Sequence, residues 1–298
     1  MKELLVHVVS PAKAQLFITY AAYIARDMNL TVRYLHVYTP PNFPMGLPGS
    51  LNAAASVNQR DIDRKMEKAR HHFDVQIDNL YATDPELPLL EYSVEVGYPS
   101  EIINEYCESK KVDTIMLSSS KGKSVFYDDS SNVEIIRNIS CPVWIIPEGI
   151  TYKPFSEILY ATDYHKEDLP SMKQLVGLAS KFPANITAVH ITDNISFREK
   201  AKGEDFINMI KKQSGYKMMS VKVLQETRGE PMVSEMHDFA LQMDADLIVL
   251  LRENRRFLDR LLHGSRSEKI ARETRLPVLI FNEKRKKPAY SKASAKFF

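Results

Sequence analysis

Cysteine is scarce in this sequence, with two in 298 residues. Cys107 falls in a helix-period segment and Cys141 stands directly before Pro142 and an apolar run. Neither a disulfide framework nor a zinc cluster can be assembled from so few. Long apolar runs are missing as well. No stretch could span a bilayer. The opening Met1-Lys2-Glu3-Leu4-Leu5-Val6-His7-Val8-Val9 lacks a small-residue cleavage site and reads as a first strand rather than a secretion signal. The cytoplasm is the expected compartment, and no membrane partner is expected. Catalytic signatures are missing too: there is no Gly-x-Ser-x-Gly elbow, no Gly-x-Gly-x-x-Gly loop and no Cys-x-x-Cys pair. The adjacent His71 and His72 have no ligand partners at metal spacing. Nothing in the sequence demands an enzyme. A large charge imbalance is also absent, since the formal net charge is +2. Six basic residues between Lys284 and Lys296 exceed that total, so the body is mildly acidic and the tail basic. A solvated tail accounts for this better than a nucleic-acid contact does.

What is present is an order of elements that occurs twice. A short apolar run, Leu4 to Val9, is matched by Glu157 to Asp163. Helix-period segments Ala12–Met28 and Leu169–Phe182 follow, then strands Thr31–Tyr38 and Asn185–Thr192 with His36 and His190 at equivalent positions. A helix comes next in each copy. In the first it reaches to about Tyr81 after a Pro/Gly-rich loop at Pro40–Ser50; in the second it is shorter, Phe197–Gln213. Third strands, Glu91–Val96 and Val221–Thr227, run into Gly97-Tyr98-Pro99 and Gly229-Glu230-Pro231, where proline pre-sets the backbone of the following helix. Fourth strands begin at Asp113 and Asp246, 133 residues apart, and the last strands follow Pro142 and Pro277, 135 apart. Only two residues separate these offsets, which marks a tandem duplication.

Strands alternating with helices of ten or more residues predict right-handed βαβ crossovers, hence an α/β fold with five mostly parallel strands per copy and helices on both faces. The expected division is residues 1–148, a linker at 149–155, residues 156–283, and a basic tail at 284–298. Any ligand belongs beyond the carboxyl ends of the strands.

The strand ending Thr162-Asp163, the His190-Ile191 strand, Ala245-Asp246-Leu247-Ile248-Val249, the Gly264-Ser265 helix start and Leu276-Pro277-Val278-Leu279-Ile280 resemble the universal stress protein domain. The resemblance covers nearly the whole chain, twice, and implies two tandem Rossmann-like domains of the adenine nucleotide alpha hydrolase-like type. It also implies that the last strands, Val143–Ile146 and Val278–Phe281, pair the two copies as an internal pseudo-dimer, since such apolar edges left bare invite aggregation. Nucleotide-binding members carry Gly-x2-Gly-x9-Gly-Ser/Thr after the fourth strand, where glycines admit phosphates to backbone N–H groups and the helix start favours an anion. Copy two keeps Gly264-Ser265, but Leu251 and Asn254 occupy the earlier glycine positions.

The resemblance makes Thr162, Asp163, Ile191, Arg252, Gly264, Ser265, Arg266 and Ser267 the candidate nucleotide-binding set. Asp163 would stand near the sugar, the Ile191 backbone near adenine, and the arginines would replace lost backbone donors. Copy one departs further. Val9 replaces the carboxylate, Ser118 and Lys121 replace glycines, and Asp129-Ser130 puts negative charge where phosphate would sit. Leu117 to Ser124 ends like a P-loop but has leucine in place of the first glycine. Two functions follow as expectations. One is a non-catalytic stress-response module acting through an unidentified protein partner. The other is an ATP- or AMP-binding sensor with magnesium, with or without slow hydrolysis, whose single site lies in copy two. Homodimerisation of the tandem chain stays open.

Overall fold

The computed structural model describes residues 2–40, 59–109, 112–119, 130–164, 168–226, 232–251 and 276–281. In the first half, β1 (Glu3–His7), α1 (Gln15–Met28), β2 (Thr31–Tyr38), α2 (Gln59–Thr83), β3 (Leu90–Val96), α3 (Pro99–Ser109), β4 (Val112–Ser119), α4 (Ser130–Asn138) and β5 (Val143–Pro147) follow in order. The second half repeats this with β6 (Glu157–Ala161), α5 (Asp168–Ala179), β7 (Asn185–Thr192), α6 (Phe197–Ser214), β8 (Met219–Gln225), α7 (Met232–Gln242), β9 (Leu247–Leu251) and β10 (Val278–Phe281). The expected periodicities are present with small shifts at helix ends. Pro11–Lys13 forms a separate 3-10 turn ahead of α1, so that helix starts at Gln15 rather than Ala12.

The ten strands among the described residues join one sheet in the order β3-β2-β1-β4-β5-β10-β9-β6-β7-β8. Pairing is parallel within each half, and the switch point lies where β1 meets β4 and β6 meets β9. The halves meet at β5 and β10, which pair antiparallel in the register Val278 to Ile145, Leu279 to Trp144 and Ile280 to Val143. A pseudo-twofold axis runs through this seam. Strands covered on both faces read as continuous apolar runs, and β5, β9 and β10 are buried at every position.

Alternate side chains feed two cores. Leu4, Val6, Trp144, Tyr160 and Leu279 pack under α1, α2, α5 and α6. Leu5, Ile115, Ile145, Leu159 and Ile280 pack under α3, α4 and α7 on the other face. Each core runs unbroken through both halves.

The aspartates that set the repeat offset have a structural role. The Asp113 carboxylate accepts the Glu3 N–H at 2.9 Å, and Asp246 accepts the equivalent Glu157 N–H at 3.0 Å. Asp246 is the more heavily used. It also accepts the Ser156 N–H at 2.6 Å and the Ser156 hydroxyl at 2.7 Å, and it pairs with the Lys153 ammonium at 2.5 Å. Its side chain is only 1% exposed. Burial alone would raise its pKa, but Lys153 and the Ser156 and Glu157 donors together hold it below the usual carboxylate value.

Candidate functional site

The carboxyl ends of β6 and β7 carry the described part of the candidate site. β6 ends at Ala161, and the chain then turns sharply, with Tyr164 in the left-handed region at φ 60°. Thr162 drives this turn. It is 3% exposed, its N–H donates to the Val189 carbonyl at 2.9 Å, and its hydroxyl accepts the Tyr164 N–H at 3.0 Å. These polar groups of Thr162 are engaged within the fold, so the residue shapes the site from beneath.

Asp163 is presented outward by the same turn, with its side chain 36% exposed. The His190 ring lies beside it on β7. His190 Nδ1 is 3.0 Å from the Thr162 carbonyl, which can only accept, so this nitrogen carries a proton. The same nitrogen is 3.5 Å from the Asp163 carboxylate, and Nε2 is 3.7 Å from Glu199 in the first turn of α6. Burial lowers the pKa of this imidazole, but Asp163, the Thr162 carbonyl and Glu199 outweigh burial and raise it overall. Tyr164 covers the ring, with centroids 4.7 Å apart, and reaches on to Phe206. Its hydroxyl is buried without a hydrogen-bond partner, and the Cβ of any residue larger than glycine at Gly203 would lie 2.7 Å from it.

The matching place in the first half has the same skeleton without the charges. His36 Nδ1 donates to the Val8 carbonyl at 2.9 Å, and its pKa falls through burial, partly offset by that bond. Val9, at the Asp163 position, is 58% exposed. The repeated histidine is therefore a structural link between neighbouring strands. In the second half it has acquired two carboxylate neighbours.

Ile191 is 8% exposed, with its side chain in the core beneath β7. Leu251, at a glycine position of the nucleotide signature, is the last residue of β9, pairs with Phe281 and is 3% exposed. It belongs to the core at the strand end. Thr162, Asp163 and Ile191 are thus together, whereas Arg252, Gly264, Ser265, Arg266 and Ser267 lie outside the described residues, as do Lys121 and Asp129 of the first half. Glu199 and Tyr164 were not among the expected residues. A signal for Glu199 was present: Ser196-Phe197-Arg198-Glu199 has the capping-box spacing, and Ser196 Oγ accepts the Glu199 N–H at 3.2 Å. That spacing fixes the start of α6 and places Glu199 above the end of β7.

A doubled parallel α/β unit joined through its last strands, with residues gathered beyond the carboxyl ends of β6 and β7, defines the class of protein. The family model for universal stress proteins matches the chain twice, over residues 1–147 and 154–282. The chain belongs to the universal stress protein family and carries two such domains in tandem. A universal stress protein of Methanocaldococcus jannaschii is 25% identical over 146 residues, which is 44% of this chain and 85% of that protein. The crystal structure of a universal stress protein from Archaeoglobus fulgidus matches with a TM-score of 0.64 at 15% identity, covering 95% of this chain and 97% of the other. A putative universal stress protein from Pseudomonas aeruginosa matches with a TM-score of 0.56 at 15% identity, covering 94% of this chain and 93% of its own. Among the described residues no helix is long and apolar enough to cross a membrane.

Proposed function

We propose that this chain is a non-catalytic regulatory module of the stress response, whose two domains pair within one chain and present a fixed pseudo-dimeric surface to a protein partner in the cytoplasm. The β5–β10 seam is the observation that carries this reading. Its paired residues Val143, Trp144, Ile145, Val278, Leu279 and Ile280 are all at most 2% exposed. Tandem linkage places the second domain at high effective concentration next to the first, so pairing does not depend on protein concentration. The divisions expected from the sequence, 1–148, 149–155, 156–283 and 284–298, serve as the domain boundaries of this proposal.

A second reading is favoured by one asymmetry. Only the second half holds a carboxylate, Asp163, at the tip of its first strand, and only there do neighbouring carboxylates raise the pKa of the repeated histidine. The sugar-side residues therefore fit an adenine nucleotide: a part-exposed carboxylate stands beside the carboxyl end of β7. Arg252, Gly264, Ser265, Arg266 and Ser267 would hold the phosphates, and magnesium would share their charge. When bound, the nucleotide would supply an anionic group for the helix start expected from the sequence at Gly264-Ser265. Titration calorimetry with ATP and AMP, with and without magnesium, separates the two readings. No heat at millimolar nucleotide is the outcome expected of the module. Binding that is abolished by Ser265→Asp and untouched by Asp129→Ala would replace it with the sensor.

A further inference from the structure

The seam has a cleft on either side. On one side the linker is laid as a strap: Tyr152 meets Tyr20 edge-on at 5.3 Å, Phe155 stacks on Trp144 at 6.0 Å, and a space of about 320 Å³ remains beside them. Across the pseudo-twofold axis, the cleft formed by the described residues measures about 930 Å³. Both cysteines of the chain, Cys107 and Cys141, lie in its wall. They stand at the amino ends of β4 and β5, away from the Asp163 site at the carboxyl ends of the second-half strands.

The two thiols come from elements far apart in sequence. Ile103 is fully buried, and Cys107 follows it by one helical turn on the same face of α3. Cys141 stands between α4 and β5, where the next carbonyl, that of Pro142, accepts the Thr114 hydroxyl and the Ile115 N–H of β4, each at 2.9 Å. These bonds fix the backbone beside Cys141. Both side chains are part-exposed, pack on the same core and are joined by a hydrogen bond between their sulfurs, and no disulfide links them. Packing does not require thiols here. Counted from Asp246 and Pro277, Ala240 and Leu276 take the two positions in the second half and meet the same core.

We propose that Cys107 and Cys141 form a peroxide-reactive dithiol, in which Cys107 attacks, Cys141 resolves, and a disulfide closes between the end of α3 and the approach to β5. The hydrogen bond from Cys141 stabilises the Cys107 thiolate and holds its pKa below the ordinary thiol value, against burial and the charge of Glu108. The same bond, burial and the charge of Asp113 raise the pKa of Cys141. Lys2 and Lys181 add positive charge to the cleft wall. The Cys107 sulfur takes one oxygen of hydrogen peroxide as the O–O bond breaks, giving a sulfenic acid and water. The Cys141 sulfur then attacks that sulfur; the S–S bond forms, the S–O bond breaks, and the oxygen leaves as a second water. Two thiols are oxidised and one peroxide is reduced, and the thiol protons leave in the water. Exchange with two molecules of a small thiol restores the pair and releases that thiol as its own disulfide. In a reducing compartment such a bond is transient and serves as a signal.

The full chain, treated with hydrogen peroxide, is followed by thiol titration and intact mass. Loss of both thiols and of two hydrogens within the monomer, reversed by dithiothreitol, is the expected result. Cys141→Ser keeps a hydroxyl donor beside Cys107, and there the reaction should stop at a sulfenic acid that a 1,3-diketone traps. Cys107→Ser should react with peroxide about tenfold more slowly than Cys141→Ser. Retention of both thiols in the wild-type chain, a sulfinic acid in place of the disulfide, or a disulfide formed between chains overturns the proposal. Equal rates in the two serine variants overturn the assignment of Cys107 as the attacking sulfur. The wild-type mass change depends on no variant.

Discussion

Replacing Asp246 with alanine tests the argument that the repeated aspartate ties the sheet together, and the duplication supplies its own control at Asp113. The Asp246 carboxylate is 1% exposed and accepts two backbone N–H groups and one hydroxyl, besides its pairing with Lys153. Lys153 is two-thirds exposed and would regain water at little cost. The buried Ser156 and Glu157 donors would not. Removing one side of a buried charged network costs about 3–5 kcal/mol. At Asp113 the carboxylate is exposed and satisfies one N–H, of Glu3, so Asp113→Ala costs no more than about 1 kcal/mol.

Urea unfolding at pH 7, followed by circular dichroism, would measure both. Because the two cores run across the seam, the Asp246→Ala loss should lower the midpoint of the whole transition. Acid adds a second reading. The folded-state pKa of Asp246 lies below its ordinary value of 3.8, so its stabilisation is present in full above that value and is lost as pH falls through the folded-state pKa. The stability difference between the wild-type chain and Asp246→Asn should accordingly shrink in that acid range. Costs at Asp246 and Asp113 that agree within about 1 kcal/mol would refute the reasoning.

The two repeated histidines should titrate in opposite directions when followed by NMR: His190 above its ordinary 6.5 and His36 below it. The His190 contribution to stability is present below pH 6.5 and lost as pH rises through its raised pKa, and Asp163→Asn should lower that pKa; an unchanged titration would exclude Asp163 as a cause. Gly203→Ala places a methyl group 2.7 Å from the Tyr164 hydroxyl and 2.9 Å from Val221, and should cost about 1–3 kcal/mol in thermal or urea unfolding. The single tryptophan, Trp144, is 1% exposed at the seam, so its emission should be blue-shifted in the native chain and move red only when the two halves separate or unfold. Red emission from the native chain would contradict the seam.

The alternation of apolar runs with helix-period segments, and its recurrence at offsets of 133 and 135, was enough to specify two α/β units and the succession of their elements along the chain, because burial on both faces leaves a continuous apolar signature that needs no partner to be read, whereas the order of strands across the sheet came from the structure. The equivalence of His36 and His190 was equally visible in the sequence. What the histidine does was not, because its pKa depends on Asp163 and Glu199, which are 27 and 9 residues away in sequence or nearer only through the turn at Tyr164 and the start of α6. Local pattern identified Asp113 and Asp246 as the same residue in two copies, yet only packing made one an exposed cap and the other a buried hub. The seam was foreshadowed by apolar last strands. Its register, the strap laid by Tyr152 and Phe155, and the larger cleft on the other side of the axis arise from long-range contacts, which sequence periodicity does not encode.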